Sequence, residues 1–302
     1  MISTRSGIGA GVFYVLLANL GWSLSGLFVR LLPDLNFWQI NCWRGYWAAF
    51  ALLTYLIIAY GKSAPQKFKD LPRPAMVFSA LFFAVGTTFY VLSLTKVNTA
   101  TVSVIGATSP LFTGLLSPWI TGERPKLVAW LAAFIALAGM VTIVYGGLEH
   151  GTLIWQLFCL GVPVTFAMQT LLLRRYRHYD VMPAICVGGV LMFLSCGAIS
   201  VVVDSSINAF TLDTRSMLYL MAMGPVQLAI PLIFYGLGAK SVSAITLSLL
   251  AMLDAVINPF WTWLVVSELP DQLALIGGAI ILGAVLLSVL GESLATKPQL
   301  AE

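Results

Sequence analysis

The sequence predicts an all-α membrane protein of ten transmembrane helices arranged as two inverted five-helix repeats. Three observations predict it: apolar runs of spanning length from end to end, a one-sided placement of Lys and Arg, and an internal match between the two halves. Of the 302 residues, 59% are hydrophobic and 9% charged, where a soluble domain carries about 25% charged residues. A membrane helix needs roughly 17 to 25 predominantly apolar residues. Ten runs qualify, at about 9–31, 37–60, 75–95, 100–121, 127–147, 151–173, 182–203, 217–238, 243–267 and 272–291. Lipid offers backbone N–H and C=O groups no partner, so each run is expected to be helical and the connections short.

Charge fixes the expected orientation. With the N-terminus inside, one face receives Arg5, Lys62, Lys67, Lys69, Arg73, Arg124, Lys126, Arg174, Arg175, Arg177, Lys240 and Lys297, twelve of the sixteen Lys and Arg residues. The other face receives Arg30, Lys96 and Arg215, and Arg44 lies inside the second span. Positive residues stay cytoplasmic, so both termini are expected there. The first apolar run is full length and lacks a small-residue cleavage site, so it reads as the first helix. Cys42, Cys159, Cys186 and Cys196 fall within spans without C-x-x-C spacing and read as small buried packing residues.

The chain matches itself at an offset of 145 residues: Ala84, Phe89, Tyr90, Glu123 and Pro125 meet Ala229, Phe234, Tyr235, Glu268 and Pro270. An earlier match, at offset 140, pairs Gly11, Leu20 and Gly21 with Gly151, Leu160 and Gly161. The halves, residues 1–147 and 148–302, therefore read as five-helix repeats. Five is odd, so the second copy enters the membrane from the opposite face, the inverted arrangement of many secondary transporters.

The fourth and ninth spans correspond, and both contain helix breakers. The fourth carries Gly106, Pro110 and Gly114 and the ninth Asp254, Asn258 and Pro259. A proline removes one backbone hydrogen bond and clashes one turn back, bending the helix and freeing carbonyls. Interrupted helices at matching places in two inverted halves point to a transport site. Gly106, Pro110, Gly114 and Pro259 are accordingly expected to act as hinges of a gate.

The stretches "ANLGWSLSGLFVRLL", "CWRGYWAAFALL" and "FYVLSLTKVNTATVSVIGATSPLFTGLLSPWITGERPKLVAWLAAFIALAGM" resemble the EamA-type repeat of the drug/metabolite transporter superfamily. The resemblance rests on Arg44 in the second helix, a small-residue and Pro-containing fourth helix, and the closing Gly122–Glu123; its texture is most like the YddG-type exporters of aromatic amino acids. It implies a central cavity lined by helices 1, 3, 4, 6, 8 and 9, in the bacterial cytoplasmic (inner) membrane. It also implies export of amino acids or similar small metabolites by alternating access. One departure stands out, in that the ninth helix has Asp254 and Ala255 where its repeat partner has Ser109 and Pro110.

Polar groups inside spans are costly unless they meet a partner or water. Those on the implied lining helices are the candidate substrate-binding residues: Asn19, Trp22 and Ser23; Thr87 and Tyr90; Thr108 and Ser109; Thr165 and Gln169; Gln227 and Tyr235; Asp254 and Asn258. Interhelical hydrogen bonding competes with ligand contact at each hydroxyl and amide. Arg44 is read as structural, binding helix-end carbonyls or a carboxylate. Asp254, a carboxylate well inside a span, has three open readings: proton carrier, contact for a substrate ammonium, or structural partner. Small residues spaced by four, Ala132 to Ala136 and Ala279 to Gly283, are expected to pack helices 5 and 10.

Other classes fit worse. "GWSLSG" ends in Ser25 where a nucleophile elbow needs Gly, and His150 and His178 lie in loops near opposite faces. Without a base in reach of a nucleophile, and without H-E-x-x-H or clustered acidic ligands, no catalytic residue, metal or cofactor is expected. No filter loop or ring of charges suggests a channel. The expected partners are a small-molecule substrate and the lipid bilayer, not nucleic acid, with a monomer as the simplest assembly. Cationic drugs and nucleotide-type metabolites remain alternative substrates.

The topology is testable by cysteine labelling. Single cysteines at Ser63 and Ser205 should react from opposite sides of the membrane, Ser63 from the cytoplasm. Labelling of both from outside would overturn the orientation.

Overall fold

The computed structural model describes residues 7–32, 35–96, 102, 105–144, 153–203, 209–210, 212–254, 256–257, 261, 264 and 272–296. All regular structure among them is helical. The elements are α1 (Ile8–Trp22), α2 (Ser25–Arg30), α3 (Phe37–Tyr60), α4 (Ala64–Asp70), α5 (Arg73–Lys96), α6 (Ser109–Ile120), α7 (Leu127–Val144), α8 (Leu153–Cys159), α9 (Gly161–Arg175), α10 (Met182–Val203), α11 (Thr214–Met223), α12 (Ile230–Gly238), α13 (Ala244–Ala251) and α14 (Gln272–Thr296). A π-helical turn over Gly224–Ala229 joins α11 to α12.

Six stretches among the described residues are long and apolar enough to cross a membrane: Phe37–Asp70, Arg73–Ser93, Leu157–Arg175, Met182–Val202, Thr214–Gly238 and Leu275–Glu292. Ile8–Trp22 and Leu127–Thr142 are shorter apolar helices. Helix starts follow local chemistry. Asn36 caps α3 in a reciprocal capping box with Gln39, and the Asp213 carboxylate accepts from Arg215 and Ser216 at the start of α11. Each arrangement satisfies backbone donors that a helix end leaves open.

Several spans are interrupted. A turn at Ser23–Leu24 separates α1 from α2, Leu160 separates α8 from α9, a turn at Ala107–Thr108 precedes α6, and Met252 ends α13. Met252 lies 145 residues beyond Ala107, the same offset as the sequence repeat. Hydroxyls repair the breaks: Ser23 Oγ donates to the Leu20 carbonyl at 2.9 Å, and Thr108 Oγ1 to that of Ile105 at 2.6 Å. The bend expected at Pro110 falls before it. Pro110 occupies the first turn of α6, where its missing N–H has no helical acceptor to lose. Asn258 and Pro259 lie outside the described residues.

Long helices pair closely. α3 runs along α10 and α7 along α14, while α1 packs on α12, α5 on α9 and α10, and α9 and α13 on α6. Glycine permits the tightest approaches: a Cβ on Gly45 would lie 2.9 Å from the Gly189 carbonyl, and one on Gly189 would lie 2.9 Å from the Gly45 carbonyl. At the α7–α14 seam, a Cβ on Gly139 would stand 2.8 Å from the carbonyl of Gly277. The small-residue expectation is corrected there. Ala132 and Ala136 are fully buried, but Ala279 faces outward and Gly283 meets open space, so Gly277 carries the approach on α14. The four cysteines are free and buried.

Overpacking a helix seam costs about 1–3 kcal/mol. Gly189→Ala and Gly139→Ala should each lower the melting temperature of the detergent-purified protein, whereas Gly283→Ala, in open space, should leave it unchanged or slightly raise it. Equal melting of all three variants and wild type would contradict the backbone contacts.

Candidate functional site

A cavity of about 220 Å³ lies where α1, α2, α3, α5, α9, α12 and the end of α13 converge. α5 presents Phe82, Phe83, Thr87 and Tyr90 to it, with Phe83, Thr87 and Tyr90 at the four- and three-residue steps of one helical face. The π-turn and α12 present Gln227, Leu228, Leu232 and Tyr235, each 145 residues after its counterpart on α5. A second correspondence, at offset 140, joins Trp22 to Val162 and Ser25 to Thr165. The cavity lining thus repeats with the sequence.

Eight of the predicted binding residues gather here: Trp22, Thr87, Tyr90, Thr165, Gln169, Gln227, Tyr235 and Asp254. Four are placed elsewhere. Asn19 is fully buried and its Nδ2 donates to the carbonyls of Val15 at 2.8 Å and Leu250 at 3.0 Å, tying α1 to α13. Ser23 accepts from Trp261 Nε1 at 2.7 Å. Thr108 is occupied by the break that it repairs, and buried Ser109 offers its carbonyl to Thr113 Oγ1 at 2.9 Å. The Ser23 and Thr108 hydroxyls, beside helix interruptions, donate to the backbone, a use that spacing alone does not reveal.

Helix 4 contributes nothing to the lining among the described residues. Of the expected hinges, Pro110 and Gly114 are buried and Gly106 half-buried, all off the cavity. A Cβ on Gly114 would press on Ile245 at 2.9 Å and Trp130 at 3.1 Å. Helix 2 enters instead, through Arg44, and Phe166, Thr170 and Ser25 also line the cavity. Arg44 carried a readable signal, an unneutralised charge within a span. Phe166 and Thr170 share a face with each other, which their spacing of four allows.

One wall is aromatic. Trp22 and Tyr235 stand 5.0 Å apart between ring centroids, Trp22 and Phe166 6.2 Å, and Phe166 and Tyr235 5.9 Å. A second feature is a set of buried polar atoms with no hydrogen-bond partner among the described residues: Gln169 Nε2 and Oε1, Gln227 Oε1 and Arg44 Nε. Their residues are 7%, 4% and 5% exposed. Unsatisfied buried polar groups cost about 1–3 kcal/mol each and more when charged, so a cluster of them around one cavity marks a place built for a polar guest. Tyr90 lies within electrostatic reach of both Arg44 and Asp254, with Ser25 in hydrogen-bonding reach.

Toward the ends of α6, α9 and α12 polar contacts join the helices. Thr170 and Tyr235 hydroxyls are 2.9 Å apart, and Thr113 and Ser248 hydroxyls 2.7 Å. Beyond them, Gly122 adopts φ +76°, a left-handed conformation that favours glycine. The next residue, Glu123, accepts from Arg174 Nε at 2.5 Å and from the Ala244 N–H at 3.1 Å. Arg174 also donates to the Ala239 carbonyl at 2.9 Å. Glu292 accepts from the Ser243 N–H and hydroxyl, both at 2.8 Å. Two carboxylates therefore serve the N-terminus of α13, whose open donors favour negative charge.

The Glu123–Arg174 pair is measurable by a double-mutant cycle. Glu123→Gln and Arg174→Gln should each destabilise the purified protein, with a coupling of about 0.5–3 kcal/mol, and additive effects would rule out the bridge.

Comparison with known proteins follows the same lines. Residues 9–145 match the model of the EamA-like transporter family. The pseudopaline exporter CntI of Pseudomonas aeruginosa (strain PAO1) is 25% identical over 91% of this chain and 94% of its own. The S-adenosylmethionine uptake transporter of Rickettsia bellii is 23% identical over 96% of this chain and 97% of its own. An uncharacterized transporter, YdfC of Bacillus subtilis, is 25% identical over 79% of each chain. A crystal structure 17% identical in sequence superposes with a TM-score of 0.80 over 96% of this chain and 99% of its own, which shows a shared fold. The first half of the chain thus resembles the EamA-like transporter family, the curated relatives are named as transporters, and six stretches among the described residues are long and apolar enough to cross a membrane.

Proposed function

We propose that the chain is a secondary transporter that exports amino acids, aromatic and other neutral ones, or similar small metabolites across the bacterial cytoplasmic membrane. The carrying observation is the cavity whose lining joins an aromatic wall to amide and guanidinium atoms that have no hydrogen-bond partner among the described residues. Its volume of about 220 Å³ is below the roughly 300 Å³ at which drug-sized pockets begin, which favours a metabolite of amino-acid size.

Alternating access between ten helices in two inverted repeats, residues 1–147 and 148–302, is the mechanism of this reading. It draws support from the repeat offsets in the lining and from the matched breaks at Ala107 and Met252. The positive-inside rule assigns the end bearing Arg174 and Lys240 to the cytoplasm, so the Glu123–Arg174 bridge is the cytoplasmic closure. In the opposite state this closure parts, and Pro110, Gly106, Gly114 and Pro259 accommodate the movement of helices 4 and 9. Trp22, Thr87, Tyr90, Thr165, Gln169, Gln227, Tyr235 and Asp254 contact the substrate. A cationic substrate is the second reading, favoured by the Asp254 carboxylate at the cavity.

Proteoliposomes test both readings. Saturable counterflow of labelled phenylalanine or tryptophan is expected, and an Asp254→Asn variant should lose transport of ammonium-bearing substrates. Counterflow of cationic dyes with no amino acid transport would favour the second reading. Wild-type rates that ignore an imposed pH gradient would remove proton coupling from Asp254.

A further inference from the structure

Arg44 is the charged member of the cavity's unpartnered polar set. It is 5% exposed, its Nε has no hydrogen-bond partner, and no ion pair to it occurs among the described residues. A structural arginine at membrane depth binds carbonyls or a carboxylate of its own protein, because an uncompensated buried cation is expensive. Its side chain instead borders the cavity. The groups around that space are the hydroxyls of Tyr90 and Ser25, the amides of Gln169 and Gln227, and the Asp254 carboxylate.

We propose that Arg44 is the specificity-determining residue of the transporter: its guanidinium receives the carboxylate of a zwitterionic substrate, whose ammonium faces the Asp254 side of the cavity and whose apolar side chain rests on Trp22, Phe166 and Tyr235. The inference deepens the transport reading and rests on it. A guanidinium presents a planar fork of donors matched to a carboxylate, and the guest's charge offsets the desolvation that the empty site bears. The cavity thus holds both charge signs, Arg44 on helix 2 and Asp254 on helix 9, beside one aromatic wall. A ligand without a carboxylate leaves the buried Arg44 guanidinium uncompensated. Discrimination therefore arises against the analogue that lacks a group, the regime in which polar sites are most selective.

The test uses three probes of similar apolar bulk: L-phenylalanine, phenethylamine without the carboxylate, and 3-phenylpropionate without the amine. Ligand-dependent stabilisation of the purified full chain, and inhibition of counterflow in proteoliposomes, report affinity for each. Wild type should prefer phenylalanine to either analogue by about tenfold or more. Arg44→Gln should lose that preference over phenethylamine while keeping the affinity for phenethylamine. Asp254→Asn should do the same with respect to 3-phenylpropionate. An equal fall for all probes in Arg44→Gln, or an unchanged preference, would return Arg44 to a structural role. Should Arg44→Gln not accumulate, the wild-type ranking alone decides, since phenethylamine bound as well as phenylalanine overturns the proposal. If wild type binds none of the three, the carboxylate anchor fails, and counterflow of any other solute in a wider metabolite panel would leave the transport reading standing.

Discussion

A polar group inside hydrocarbon must find its partner within the protein, because lipid supplies none. Two groups of polar residues show how the described part of the molecule answers that constraint. Those at helix interruptions turn back on the backbone: Ser23 to Leu20, Thr108 to Ile105, Asn19 across to Leu250. Those at the centre of the bundle, Gln169, Gln227 and Arg44, keep atoms with no hydrogen-bond partner among the described residues. The first kind makes the irregular helices tolerable, and the second gives the cavity its chemistry. The hydrophobic effect contributes little to the distinction, since the lipid-facing and helix-facing surfaces are similarly apolar.

The same sorting explains what the sequence made legible. Helical character and the approximate spans followed from run length alone, and Thr87 and Tyr90, polar residues on a helix that the resemblance implies as lining, both border the cavity. The two tyrosines of the 145-residue repeat, Tyr90 and Tyr235, were readable twice, as polar aromatics on predicted lining helices and as repeat partners, and both border the cavity. Spacing could not tell a hydroxyl that serves a ligand from one that serves its own helix. Ser23 and Thr108 are therefore grouped with the site by spacing, although each hydroxyl donates to a carbonyl of its own segment. Proline content correctly suggested interruption of the fourth span, but the break lies at Ala107–Thr108 because proline is well accommodated in a first turn. Arg44 was legible as an anomaly and was given a structural role, since only the three-dimensional arrangement reveals whether a buried cation has an anion beside it. The twin glutamates Glu123 and Glu268 stood out as a repeated E-x-P. That Glu123 reaches Arg174 and the start of α13 depends on the left-handed turn at Gly122, which no periodicity encodes.

Charge placement also follows from solvent access. Glu123 and Arg174 pair at the end of the bundle, with side chains 28% and 10% exposed, where water lowers the cost of bringing two ions together. Deeper in, Arg44 and Asp254 occupy different helices around a space large enough for a guest. The Glu123–Arg174 ion pair thus lies where water reaches it, while Arg44 and Asp254 border the cavity.

The reciprocal approach of Gly45 and Gly189 carries a consequence of a different sort. Where two helices meet backbone to backbone, no side-chain rotamer stands between them, so neither can slide or roll without collision of main-chain atoms. The α3–α10 seam, and the α7–α14 seam at Gly139 and Gly277, behave as welded joints, while contacts made through long side chains elsewhere can reshuffle. Mechanical stiffness and chemical selectivity accordingly reside at different positions of one chain. Cavity residues such as Phe82 and Gln227 can be exchanged to alter what the protein accepts without loosening the frame that holds it.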